Sequence, residues 1–183
     1  LAGLGSAKGS NEEAYLFQRL VRTGFGSNNV DHCTRLCHAS SVAALLQMIG
    51  SGAVSNPVAD VDAAEVIVVI GSNPTENHPV AATFFKNAAR AGKTLIVMDP
   101  RRTAIARHAD HVLQFKPDTD VAMLNAIMHS VIAQGLVDSE FVARRTEGYQ
   151  ALEAHLADYP PERMQAICGI PAETLHEVAR VFA

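Results

Sequence analysis

Val66-Ile67-Val68-Val69-Ile70-Gly71-Ser72-Asn73-Pro74 is the stretch from which the fold of this chain can be read. Its first five residues are apolar without polar alternation, which predicts a parallel strand buried on both faces. Gly71 and Pro74 then turn the chain, and Pro79, directly after His78, suits the first position of a helix that runs to about Ala91 and closes at Gly92. The pattern recurs twice. Leu95-Ile96-Val97-Met98 ends in Asp99-Pro100-Arg101 before a short helical stretch from Thr103, and Val112-Leu113-Gln114-Phe115 ends in Lys116-Pro117-Asp118-Thr119-Asp120 before an amphipathic helix from Val121 to Gln134.

Three strands, each followed by a polar turn and a helix, predict an α/β fold. It is a doubly wound, mainly parallel sheet with helices on both faces, in the three-layer Rossmann-like arrangement. Ligands of such sheets bind beyond the carboxyl ends of the strands, so the three turns converge on one edge. Their residues suit a nucleotide: amides of Gly71 and Ser72 for phosphate, Arg101 for a bidentate phosphate pair, and Asp99, Asp118 or Asp120 for ribose hydroxyls or a guanine edge. The plainer reading of any one turn is that Thr119 or Asp120 caps a helix and Asp99-Pro100 turns the chain. Three turns on one edge favour a site.

Upstream, Gly3, Gly5 and Gly9 precede an S-x-x-E capping box, Ser10-Asn11-Glu12-Glu13, that opens a helix with Ala14, Phe17, Leu20 and Val21 on its apolar side. A glycine turn entering a helix is a good anion cradle. The spacing is G-x-G-x-x-x-G, however, and by itself reads more simply as a turn.

Asn28-Asn29-Val30-Asp31-His32-Cys33-Thr34-Arg35-Leu36-Cys37-His38 gathers two of the three cysteines into one polar segment. Val42, Leu45, Leu46 and Ile49 follow with helical spacing and Gly50 supplies a stop, which sets Cys37 and His38 at a helix N-terminus. Such a position favours a thiolate, a nucleophile or soft metal ligand, and His38 beside it can move a proton at neutral pH. The plain alternative is a loop cysteine beside a capping histidine. C-x-x-x-C-H is one residue too long for c-type haem attachment or a redox C-x-x-C, and a structural zinc lacks its four ligands because Cys168 stands alone.

The 183 residues are 48% hydrophobic and 19% charged, with a formal net charge of -4, as expected of one soluble domain. The acidic balance and the absence of basic runs beyond Arg101-Arg102 and Arg144-Arg145 exclude a nucleic-acid partner, and no apolar run approaches the roughly 18 residues of a membrane span. Three cysteines fit no complete disulfide framework and favour the cytoplasm. Short helices are expected over Ser139 to Arg144, Leu152 to Ala157, and after Pro171 with Leu175, Val178 and Phe182 in register. Cys168 reads as a buried structural thiol, and His108, His111, His129, His155 and His176 as surface or helix-end residues.

The segment from Asn28 through Cys37-His38 to Ser41-Val42-Ala43 resembles the active-site segment of molybdenum or tungsten formate dehydrogenases, within the bis-molybdopterin guanine dinucleotide oxidoreductases. Ser6-Ala7-Lys8-Gly9-Ser10-Asn11-Glu12 is similar to the part of that family that lies against the pterin. Gly71-Ser72-Asn73-Pro74 with His78-Pro79, Asp99-Pro100-Arg101 with Thr103, and Pro117-Asp118-Thr119-Asp120 resemble its dinucleotide-holding turns, the last with Asp118 where glycine is common. The resemblance covers nearly all of the chain as one domain, residues 1–183. It implies that Cys37 ligates the metal and is catalytic together with His38. Ser6, Lys8, Gly9, Asn11, Gly71, Asn73, Pro74, His78, Asp99, Pro100, Arg101, Pro117, Thr119 and Asp120 would hold the cofactor.

The implied activity is oxidation of formate to carbon dioxide by a larger catalytic subunit of which this chain is an internal fragment. Such a subunit would carry a 4Fe-4S cluster in a segment N-terminal to Leu1 and an arginine beyond Ala183, and would work with electron-transfer subunits. The alternatives are another oxidoreductase of the superfamily, such as a nitrate reductase, and a non-catalytic nucleotide-binding module.

Overall fold

The computed structural model describes residues 1–53 and 55–183, and their contacts fall into two compact units, Leu1–Pro57 and Val58–Ala183. The first opens with strand β1 (Gly3–Gly5) and helix α1 (Asn11–Arg19), continues through a π-helical turn at Leu20–Gly24 and returns as β2 (Val30–His32). β1 and β2 pair in parallel, with Gly3 opposite Val30 and Gly5 opposite His32. The capping box forms as its residues predict: the Ser10 hydroxyl accepts the Glu13 amide at 3.2 Å, and the Glu13 carboxylate accepts the Ser10 amide at 2.6 Å.

A Cβ at Gly3 would stand 2.5 Å from Val21 Cγ2 and 3.0 Å from Phe17 Cζ, so the helical segment approaches β1 this closely only because residue 3 has no side chain. Of the expected apolar side, Val21 is buried and Phe17 half-buried, whereas Ala14 and Leu20 are exposed. A sheet of two three-residue strands is too narrow to cover them. Helix α2 (Thr34–Cys37) follows β2, and α3 (Ala39–Ile49) ends at Gly50 in the left-handed conformation expected of its stop, φ 71°.

In the second unit a 3-10 turn (Val58–Asp62) leads into β3 (Val66–Ile70), α4 (Pro74–Asn77), α5 (Pro79–Arg90) and β4 (Thr94–Met98). A second 3-10 turn (Ala104–His108), β5 (His111–Leu113) and helices α6 (Asp120–Ala133), α7 (Ser139–Arg145), α8 (Tyr149–Leu156), α9 (Pro161–Cys168) and α10 (Ala172–Phe182) complete it. The strands are parallel in the order β3-β4-β5. Central β4 alternates between two cores. Leu95 and Val97 pack with Ala88 of α5 and with Ile105 and Ala106 of the 3-10 turn, while Ile96 and Met98 join Met123 and Ile127 of α6, Cys168 of α9 and Leu175 and Val178 of α10. The fold is therefore α/β, with parallel strands flanked by helices on both faces.

Three expectations need correction. β3 is not buried on both faces: Ile67 and Val69 are, but Val68 and Ile70 are 36% and 39% exposed, because β3 is an edge strand reached only partly by the α6–α10 layer. The third strand ends at Leu113 and not at Phe115, since the Lys116 amide turns to the Cys168 carbonyl at 2.9 Å. His129 and His176 are inter-helix bridges and not free surface residues: His129 Nδ1 lies 2.8 Å from the Leu156 carbonyl, and His176 links Ser130 at 2.7 Å to Glu162 at 2.9 Å. Helical spacing alone could not reveal partners 14 to 46 residues away.

Candidate functional site

Parallel pairing puts the carboxyl ends of β3, β4 and β5 on one edge, where residues 71–78, 99–103 and 114–120 form three adjacent turns. Gly71 adopts φ 58° with open space where a Cβ would be, but its amide donates to the Met98 carbonyl at 2.9 Å. It therefore cannot give that amide to phosphate as expected, because the β3–β4 ladder runs one residue past Ile70. Asn73 is buried and its Oδ1 accepts the Thr75 hydroxyl at 2.8 Å, holding the turn into Pro74 and α4. His78 precedes α5 and borders an apolar depression of about 380 Å³ with Val58, Pro79, Val80 and Phe84.

At the second turn the Asp99 carboxylate is buried and accepts the Arg101 amide at 2.7 Å. The Arg101 guanidinium stands 3.7 Å from the same oxygen with its side chain 76% exposed. Asp99 thus shapes the turn, and Arg101 is the residue open to an anion. Gln114, read in the sequence only as a strand residue, donates from Nε2 to the Pro100 carbonyl at 3.0 Å and braces this turn. Thr103 is only 8% exposed and its hydroxyl is buried without a hydrogen-bond partner.

The third turn carries the departure from the resembling family. Asp118 has φ 63°, the one non-glycine residue with positive φ among the described residues, so it keeps the backbone form for which glycine is common. The Thr119 hydroxyl does not cap α6. It donates back to the Lys116 carbonyl at 2.6 Å, and α6 opens at Asp120 beside Pro117-Asp118 with no side-chain cap. The first amides of a 14-residue helix, with Arg101, make an edge suited to an anionic group, and Asp118 and Asp120 offer acceptors for hydroxyls or a base. These residues fit a phosphate-bearing dinucleotide.

In the first unit β1 and β2 likewise end on one edge, which brings the turn through Ser6, Lys8, Gly9 and Asn11 beside the segment that holds Cys33, Cys37 and His38. The Ser6 hydroxyl accepts the Lys8 amide at 3.1 Å, and the whole turn is solvent-facing. His38 is the N-cap of α3; Cys37 immediately precedes it as the last residue of α2, one step outside the position expected. β2, which sequence alone read as a polar segment, sets that placement, and Asp31 in it pairs with Arg35 at 3.0 Å. The His32 amide and then Arg35 hold the Asp31 carboxyl below its ordinary value.

Among the described residues no three His, Cys, Asp or Glu side chains cluster as a metal site. Cys37 is exposed and free. A metal at its sulfur would take its other donors from a bound cofactor, and soft sulfur donors match a thiolate in kind.

A model of the family described as molybdopterin oxidoreductase matches residues 2–172. Among curated relatives, the F420-dependent formate dehydrogenase 1 subunit alpha of Methanococcus maripaludis is 44% identical over 97% of this chain and 26% of its own length. The periplasmic nitrate reductase of Desulfovibrio desulfuricans is 34% identical over 100% of this chain and 26% of its own. Among solved structures, acetylene hydratase from Pelobacter acetylenicus superposes with a TM-score of 0.74 at 26% identity, over 96% of this chain and 24% of that one. The chain thus spans about a quarter of the length of the relatives it matches.

Proposed function

Because the chain belongs to the molybdopterin oxidoreductase family, we propose that it is part of the catalytic subunit of a formate dehydrogenase that oxidises formate to carbon dioxide. The cofactor in this reading is molybdenum or tungsten held by bis(molybdopterin guanine dinucleotide). The observation that carries it is the 44% identity to a formate dehydrogenase alpha subunit over nearly the whole chain. When bound, the cofactor supplies the centre that accepts two electrons from formate.

The chain's own residues divide the remaining work. The Cys37 sulfur gives the metal one soft protein donor, and the His38 imidazole, beside it at the start of α3, takes up the proton released or orients formate. Ser6, Lys8, Gly9 and Asn11 hold the pterin side. Arg101, the α6 amides and Asp120 hold the nucleotide phosphates and hydroxyls, on a frame made by Gly71, Asn73, Pro74, His78, Asp99, Pro100, Pro117 and Thr119. In this reading both compact units belong to one cofactor-holding domain of a longer subunit, which also bears a 4Fe-4S cluster outside these residues and passes electrons to partner subunits. A reducing, cytoplasmic setting belongs to the same proposal, supported by a count of three cysteines, which makes no complete disulfide framework. Among the described residues no helix is long and apolar enough to cross a membrane.

The likeness to a nitrate reductase supports the second reading, the same cradle serving nitrate reduction. The metal-loaded full-length subunit, assayed with artificial dyes on formate and on nitrate, separates the two. Formate oxidation abolished by Cys37→Ala is expected; nitrate reduction without formate oxidation selects the alternative, and a loaded subunit inert on both leaves a nucleotide-binding module.

A further inference from the structure

Cys33 and Cys37 stand at the two ends of one helical turn. Cys33 caps α2 with helical backbone angles, φ -57° and ψ -22°, and the Cys37 amide donates to the Cys33 carbonyl at 3.0 Å. An i to i+4 bond of this kind sets the two Cα atoms about 6 Å apart on one face of the helix, inside the range disulfides span. Both thiols are free and exposed, and neither sulfur has a hydrogen-bond partner among the described residues.

Helical neighbours at this spacing hold their Cβ atoms about 5–6 Å apart, so a disulfide needs them roughly 1–2 Å closer. That movement is easy here. α2 has four residues and none is buried, Leu36 is 95% exposed, and the helical path already breaks at His38, where φ is -123°. Tightening the turn disturbs no core packing.

We propose that Cys33 and Cys37 form a reversible intramolecular disulfide, a modification site that masks the Cys37 sulfur until it is reduced. The oxidant is a low-molecular-weight disulfide such as oxidised glutathione. One cysteine thiolate attacks it, breaking its S–S bond, releasing one small thiol and leaving a mixed disulfide on the protein. The second thiolate then attacks the protein-side sulfur, forming the Cys33 Sγ–Cys37 Sγ bond and releasing the second small thiol. Two protein thiols lose two protons and two electrons, and the small disulfide gains both. A sulfur in that bond offers no thiolate to a metal, so reduction precedes ligation, and the same bond shields the exposed thiols from irreversible oxidation.

The test uses the 183-residue chain without any cofactor. It is incubated with excess oxidised glutathione, acid-quenched and alkylated under denaturing conditions for intact-mass and peptide analysis. The reduced chain should alkylate at all three cysteines. After oxidation it should lose the mass of two hydrogens and alkylate only at Cys168, and dithiothreitol should restore all three sites. Cys33→Ser should instead retain a stable glutathione adduct on Cys37. Three alkylated cysteines after oxidation, a persistent glutathione adduct on Cys37 of the unaltered chain, or a bond through Cys168 or to a second chain would each overturn the proposal.

Discussion

The buried Asp99 carboxylate accepts the backbone amide of Arg101 at 2.7 Å, while the Arg101 guanidinium stands 3.7 Å from that same oxygen and faces solvent. Two residues that look equivalent in a polar turn are therefore separable. Asp99→Ala leaves a part-buried amide without its partner and should cost about 1–3 kcal/mol in urea unfolding. Arg101→Ala should cost less, under about 1 kcal/mol, because the lost guanidinium is solvent-exposed and 3.7 Å away while the backbone amide of residue 101 still bonds Asp99. Its expected effect is on occupancy of the full-length subunit by the cofactor, read as guanine nucleotide released on denaturation. Equal destabilisation by both substitutions would contradict the division of roles.

Gly3 tests the packing of the first unit. A methyl at residue 3 would enter the space of Val21 Cγ2 and Phe17 Cζ, so Gly3→Ala should destabilise by about 1–3 kcal/mol through overpacking. Adding Val21→Ala should recover part of that loss. A double variant whose loss equals or exceeds the sum of the two single losses would show that the close contact is not the cause.

Asp118 holds φ 63° without the freedom of glycine. Asp118→Gly should raise stability by roughly 0.5–1 kcal/mol, and Asp118→Val, β-branched in a left-handed position, should lower it. Thermal unfolding of the three chains gives the order, and the valine variant matching the glycine one would refute the backbone argument.

Two exposed carboxyls are held below their ordinary values. The hydrogen bond from His176 holds Glu162 below its ordinary value of 4.5, and the His32 amide followed by Arg35 holds Asp31 below 3.8. A carboxyl whose folded value is depressed binds fewer protons folded than unfolded. Its contribution is complete above the ordinary value and is lost as pH falls through the folded one. Measured downward from about pH 5, the stability difference between the natural chain and Glu162→Gln should thus shrink below about pH 4. A difference that keeps its size down to pH 3 would remove Glu162 from the acid limb.

Strand-turn-helix order was legible because it is local chemistry. Apolar runs at 66–70 and 95–98, Pro79 at a first helical position, the Ser10–Glu13 box and Gly50 each act on their own few residues, and each forms its expected element or cap, although the burial expected of 66–70 on both faces does not follow. The parallel order of β3, β4 and β5 follows from those connections, and with it the gathering of three polar turns on one edge. What needed tertiary structure was every property set by a distant partner. β2 is a strand because β1 lies beside it, although its own Val-Asp-His has little to say about sheets. Gly71 loses its amide to Met98, Asp99 turns inward and Arg101 outward, Gln114 reaches Pro100, and Thr103 is buried without a partner. Cys33 and Cys37 matched no ligand spacing in the sequence, yet α2 makes them neighbours on one turn. Periodicity records which way a residue faces along its own element, whereas a hydrogen-bond partner far along the chain exists only once the elements have packed.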